Sequence, residues 1–237
     1  MSTSKKELKE KIAEMVRVLA AADILTLTSG HLSYRIPETN EILIPRHIHH
    51  EKKTLAQITG EDIVVIDMDG NLIEGDTAPP GERFAHTGVY KKRKDINAVI
   101  HAHPFLPIAF GVAGVELIPV YGRGTVFSPR VEILDFSGQI DTEELGTQVA
   151  EALKDNFALL LRGHGVMVVG ATPEDACVNA FTLETNAQIQ LWATMLGTPR
   201  PVSREEVLGL TRPGMKPHKI TSPWAYYLEK YGKPSTP

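Results

Sequence analysis

Two histidines one residue apart close a short apolar run, Ala98-Val99-Ile100-His101-Ala102-His103, and Pro104 stops it. A run of that length with that stop reads as a strand. Alternate residues on a strand face the same way, so Val99, His101 and His103 share one face and the two imidazoles can converge on one ion. Neutral imidazole nitrogen is a good ligand for zinc and its neighbours. The segment just upstream, Pro79-Pro80-Gly81-Glu82-Arg83-Phe84-Ala85-His86, reads as the start of a helix. The prolines sit where a missing N–H costs little. Glu82 then falls in the first turn, where the helix dipole favours a carboxylate, and His86 lies one turn further on the same face. Such a helix feeding such a strand sets a general base beside a metal.

Composition narrows what this arrangement can serve. The chain has 237 residues, enough for one sizeable core, and a single domain over residues 1–237 is expected. Its formal charge of -4 and the lack of a long Lys/Arg run argue against nucleic-acid binding. The lone Cys177 excludes an internal disulfide and fits a reducing compartment. No apolar stretch approaches membrane-spanning length, and the charged N-terminus lacks the apolar core of a signal peptide, so the cytoplasm is the expected location.

Along the chain, Ser4 and Glu7 have capping-box spacing and open an amphipathic helix to about Ala22. Gly30 suggests a tight turn into a strand with Leu32 and Tyr34 on one face and Ser33 and Arg35 on the other. Ile42 to Ile44 is a strand stopped by Pro45, and Arg46, His47, His49 and His50 follow in a loop that reads equally well as solvated or as part of a site. Ile63 to Ile66 is a buried-type strand, and Asp69-Gly70 turns it into a hairpin. The same reading gives a short helix over 105–111, broken by Pro107 and Gly111, and an edge strand over Leu117 to Tyr121 interrupted by Pro119. Asp141 with Glu144 is read as a capping box for a helix over 142–154. Two β-rich runs, Phe157 to Leu161 and Val166 to Val169, flank Arg162-Gly163-His164-Gly165, where the backbone can turn sharply. Thr172 and Pro173 open a long helix to about Leu196. The tail from about residue 198 is Pro-containing, and its Trp224, Tyr226, Tyr227 and Tyr231 are expected to dock on a neighbour, in the same subunit or another.

A lone histidine is more often a satisfied polar group than a ligand, and His218 stays in that class. The His-x-His pair and the Gly-His-Gly turn are harder to set aside. A structural zinc site would want four protein ligands, usually including cysteines, whereas three histidines with an open position point to catalysis. The Glu that a cupin needs after its His-x-His pair is missing from Pro104 to Gly111, and the eight βα units of a barrel hydrolase are absent.

Taken together, Glu82-x-x-x-His86, fourteen residues, His101-x-His103, and Leu161-x-x-His164-Gly165 resemble the class II aldolase/adducin family over roughly residues 5–197. The resemblance implies a three-layer α/β/α fold around a mainly antiparallel sheet, assembled as a homotetramer with sites between subunits. It implies a divalent metal, zinc or manganese, on His101, His103 and His164, with Glu82 as the acid/base residue. The chain departs from the sugar-phosphate members at the phosphate positions. His31 stands in Gly30-His31-Leu32-Ser33 where they carry Asn, Pro45-Arg46-His47 replaces a Ser/Thr-Gly pair, and Pro80-Gly81 replaces two serines. That counts against a phosphorylated substrate and points toward the decarboxylase branch, which acts on hydroxylated ring carboxylates. His31, Arg46, His47 and Gly81 are then the candidate substrate-binding residues, and Arg46 offers a fork suited to a carboxylate.

The shared chemical problem is a carbanion beside an oxygen. A divalent ion on three neutral imidazoles keeps its full charge and open positions for substrate oxygens. Glu82 moves the proton. His86 either orients Glu82 or a substrate oxygen or is a half-buried helix residue, and Tyr121, or a tail tyrosine of an adjacent subunit, is a candidate second acid. The expected activity is a metal-dependent C–C lyase on a small carboxylate, foremost a decarboxylase. Aldol cleavage of a hydroxy-ketone, hydroxy-acid or sugar phosphate comes next, then 4-epimerisation. A non-catalytic interaction module like the adducin head is the alternative from another class.

Overall fold

A computed structural model describes residues 4–26, 29–48, 53–209 and 223–232. His49, His50 and His218 lie outside the described residues. The elements, in chain order, are α1 (Lys5–Ala21), β1 (His31–Arg35), β2 (Ile42–Pro45), β3 (Ile63–Ile66), β4 (Leu72–Glu74), α2 (Arg83–Lys92), β5 (Ala98–Ala102), α3 (Phe105–Ala113), β6 (Glu132–Leu134), α4 (Glu143–Leu153), β7 (Ala158–Leu161), β8 (Gly165–Gly170), α5 (Pro173–Leu196), α6 (Arg204–Gly209) and α7 (Pro223–Tyr231). Eight strands form one sheet in the order β4-β3-β2-β1-β5-β8-β7-β6. Every pairing is antiparallel except β6 with β7 at one edge.

Period-two alternation splits the apolar residues between two cores. Leu32, Leu43, Ala98, Ile100 and Val168 face one side and pack with α1, α5 and Trp224. Ile42, Ile44, Val64, Val99 and Val169 face the other and pack with α2 and α4. The expected three-layer α/β/α architecture is therefore present. α2 and α4 cross at Gly88 and Gly146, where a Cβ on either glycine would overlap backbone of the facing helix. Arg35, on β1, caps α2: its guanidinium donates to the carbonyls of Tyr90 at 3.0 Å and Ile96 at 2.6 Å. Carbonyls at a helix end lack intrahelical partners, so this bond fixes α2 over β1.

Several local expectations hold. Ser4 and Glu7 form the capping box of α1. Asp67 Oδ1 accepts from the N–H groups of Asp69 and Asn71 and so sets the β3–β4 hairpin turn. Thr172 caps α5 with Pro173 in its first turn. α7 docks within the chain: the Tyr227 ring stacks on Phe181 at a centroid distance of 3.7 Å, and Trp224 is buried.

Other expectations fail for identifiable reasons. α3 runs through Pro107 to Ala113, because Pro107 lies in the first turn where no intrahelical N–H bond is needed. α4 is capped by Thr142, whose side chain accepts from Leu145 N–H, rather than by an Asp141–Glu144 box. β6 was not anticipated; it is a three-residue edge strand in a polar context. Leu117 to Tyr121 forms no strand beyond a single bridge from Leu117 to Val131. Its backbone groups bond to amide side chains on α5 instead. Asn186 Oδ1 accepts from Val120 N–H at 3.0 Å, Asn186 Nδ2 donates to the Ile118 carbonyl at 2.7 Å, and Gln190 Oε1 accepts from Ile118 N–H at 2.9 Å. Two amides one helical turn apart thus stand in for a neighbouring strand.

Asn186 is fully buried. Asn186→Leu should therefore strand two backbone groups and cost about 1–3 kcal/mol for each. Urea unfolding monitored by circular dichroism checks this, and an unchanged midpoint would contradict it.

Candidate metal centre and substrate cleft

The centre is assembled from β5 and the β7–β8 turn. β5 pairs with β8 in a register that sets His101 opposite Met167 and Ala102 opposite Val166. The imidazole of His101 therefore lies on the α2 side of the sheet, and His103 follows one residue beyond the strand end. The turn Arg162-Gly163-His164 carries the third ring to the same place. Gly163 has φ +71°, a conformation that L side chains rarely adopt, and a Cβ on Gly165 would overlap the Ala102 carbonyl. One ligand atom from each of His101, His103 and His164 lies within 4.8 Å of the others.

The chemistry of the set suits a divalent ion. His101 Nδ1 lies 3.1 Å from the Val166 carbonyl, which can only accept, so the proton sits on Nδ1 and Nε2 keeps its lone pair. His101 Nε2, His103 Nδ1 and His164 Nδ1 are buried and have no hydrogen-bond partner. Burial, reinforced by the neighbouring rings His101 and His164, pushes His103 down to about 4. Burial and His101 lower His164 in the same way. Those two rings stay neutral at pH 7, the state in which imidazole ligates.

Glu82 stands beside this cluster, with one difference from expectation. It is the N-cap residue of α2 rather than a first-turn residue, because the helix begins at Arg83 and Pro79 and Pro80 precede it. Its Oε2 lies 3.3 Å from His101 Nε2, and its Oε1 lies 3.4 Å from His164 Nε2. Oε1 also accepts the Ile140 N–H at 3.1 Å. Burial alone would raise the carboxyl, but the facing imidazoles and the Ile140 N–H outweigh it and hold the group well below the usual carboxylate range.

A cleft of about 300 Å³ opens on the cluster and is lined by Ser29, Gly30, His31, Pro45, Arg46, His47, Ile48, Leu55, Pro80, Gly81, Glu82, His103, Gln139 and His164. Candidate residues from five separate segments thus meet in one place. Asp62, not anticipated from the sequence, orients Arg46: its Oδ1 accepts from Nε at 3.2 Å and from Nη2 at 2.9 Å. Lys53 and the Thr59 N–H hold Asp62 Oδ2, so the guanidinium is fixed against a buried, paired carboxylate. Gly81 has nothing within 4 Å of where a Cβ would stand.

Two expectations are not met. His86 contacts neither Glu82 nor the cleft. It is fully buried, with Nε2 at 2.7 Å from His31 Nδ1 and Nδ1 at 2.7 Å from Ser33 Oγ. Tyr121 does not line the cleft, and its hydroxyl lies 3.5 Å from the Thr182 carbonyl on α5.

The chain is similar to proteins of known activity. It is 32% identical to the 3,4-dihydroxyphthalate decarboxylase of Arthrobacter keyseri over 199 residues, covering 80% of this chain and 79% of that protein. It is also 32% identical to the L-fuculose phosphate aldolase of Methanocaldococcus jannaschii over 140 residues, covering 58% of this chain and 73% of that protein. The solved structure of an L-fuculose 1-phosphate aldolase superposes with a TM-score of 0.77 at 26% identity, covering 88% of this chain and 95% of that one. Residues 10–191 match the Class II Aldolase and Adducin N-terminal domain, and the chain belongs to that family.

Proposed function

We propose that the protein is a divalent-metal-dependent carbon–carbon lyase that decarboxylates a small hydroxylated carboxylate, aromatic or keto. One observation carries the reading: the three-imidazole cluster and Glu82 share a cleft with an oriented guanidinium, Arg46, while Ser29 is the one hydroxyl side chain among the described residues that line it. A guanidinium held in place by a buried carboxylate presents a planar fork suited to a carboxylate, and His47 and His31 line the same cleft.

A zinc or manganese ion on His101, His103 and His164 would supply Lewis acidity to substrate oxygens and charge to offset that left on carbon. Arg46, with His47 beside it, binds the carboxylate and orients its bond to the ring or chain. As that bond breaks, the electron pair remains on carbon and CO₂ leaves. Glu82, held ionised, takes a proton from a substrate hydroxyl and delivers it to that carbon. Likeness to the fuculose phosphate aldolase supports a second reading, aldol cleavage, in which the same groups serve and an aldehyde leaves in place of CO₂. The exposed apolar residues Phe105, Val112, Trp192, Met195 and Leu196 support contact with other copies of the chain, and we propose a homotetramer as the assembly.

A panel of hydroxybenzoates, pyridine carboxylates, hydroxy-acids and ketose phosphates should yield CO₂ from a carboxylate and no aldehyde; aldehyde release alone would favour the second reading. Glu82→Gln should keep its metal content and lose roughly 10²–10⁴ in turnover, and wild-type turnover would remove Glu82 from the mechanism. Arg46→Lys keeps a charge beside Asp62 but loses the planar fork, so KM for the carboxylate should rise on the order of tenfold. An unchanged KM would contradict a carboxylate at Arg46.

A further inference from the structure

Behind His31 runs a chain of buried polar groups that ends at the Asn97 carbonyl. His31 Nδ1 lies 2.7 Å from His86 Nε2, and His86 Nδ1 lies 2.7 Å from Ser33 Oγ. Ser33 Oγ lies 2.7 Å from Tyr90 Oη, which reaches the Asn97 carbonyl at 3.3 Å. Ser33, His86 and Tyr90 have no exposure at all, so each proton in this chain has to find its acceptor within the protein. The terminus is not interchangeable with the start: a carbonyl accepts and never donates.

Counting protons gives the chain a direction. When Tyr90 donates to Asn97, Ser33 donates to Tyr90. His86 then donates from Nδ1 to Ser33, and His31 donates from Nδ1 to His86. Four protons then satisfy all four contacts. Run the other way, the Tyr90 proton points at Ser33 and the contact to Asn97 is lost.

Resting on the carboxylate-lyase reading above, we propose that the His86–Ser33–Tyr90 chain locks neutral His31 with its proton on Nδ1, so that His31 Nε2 faces the cleft as an acceptor and selects substrates that offer a hydroxyl there. His86, Ser33 and Tyr90 are positioning residues, acting through His31. The division of labour in the cleft follows: Arg46 reads the carboxylate and His31 reads a hydroxyl. A methoxy or keto oxygen at that position has no proton for Nε2 and leaves it unpaired.

The tautomer can be read in the ligand-free protein, so this outcome is independent of which reaction the cleft performs. Long-range ¹⁵N–¹H correlation spectra of histidine-labelled protein, with His31→Asn to assign the ring, should show His31 protonated on Nδ1 and unprotonated on Nε2. Tyr90→Phe removes the acceptor of the Ser33 proton, which then turns to His86 Nδ1, and the Nε2–H form of His31 should become populated. A wild-type ring protonated on Nε2, or a Tyr90→Phe spectrum with unchanged His31, overturns the lock. Should Tyr90→Phe fail to fold, the wild-type spectrum still decides the tautomer. Selectivity is read by calorimetry with 2-hydroxybenzoate and 2-methoxybenzoate. The hydroxyl compound should bind about tenfold tighter to wild type, with the ratio falling toward one in Tyr90→Phe. A ratio near one in wild type overturns the selectivity. Absence of binding by both compounds overturns it too, together with the carboxylate reading of the cleft, and leaves the tautomer to the spectra.

Discussion

The antiparallel pairing of β5 with β8 is the constraint on which the centre depends. Side chains alternate faces with a period of two, so a slip of one residue would turn His101 from the α2 side of the sheet into the opposite core, among Ile100 and Ala102. The register holds because both strands are buried on both faces and their apolar residues fill two separate cores. Gly165 lets the β7–β8 turn close against the Ala102 carbonyl, so His164 comes within reach of His101 and His103. The position of the third imidazole is thereby a consequence of strand pairing and one missing side chain.

A second consequence is electrostatic. Burial of the His103 and His164 rings penalises their charged forms, which keeps them as lone-pair donors rather than cations. The same burial would neutralise Glu82, yet its carboxyl is held low, with the Ile140 N–H donating to Oε1. At the far wall the charge of Arg46 is tolerated because Asp62 and Lys53 complete a paired set around it. The cleft thus brings a carboxylate, Glu82, and a guanidinium, Arg46, to the same group of imidazoles.

Much of this was legible in the sequence, and the reasons are local. The strand face shared by His101 and His103 follows from alternation over six residues, and Gly163-His164-Gly165 marks a turn that only small residues permit. Caps such as Ser4–Glu7 and Thr172–Pro173 depend on side chains a few positions apart. What could not be read required partners distant in the chain. Leu117 to Tyr121 has strand-like residues, but its hydrogen bonds go to Asn186 and Gln190, 66 and 72 positions away. Asp62 carried no signal that it would meet Arg46, and nothing near His86 announced that Ser33 and His31 would claim both its nitrogens. Helical spacing put His86 on the face of Glu82, but the packing of α2 on β1 turned its ring inward.

The central claim is that strand pairing gathers three imidazoles into one site for a divalent ion. Calorimetric titration of zinc into metal-stripped protein, repeated with His103→Ala, tests it most directly. The account expects one ion per chain in the wild type and a loss of affinity of at least about tenfold in the variant, with thermal unfolding of the wild type shifted upward by the metal. Equal affinity in the two proteins, or no saturable binding in either, would contradict it.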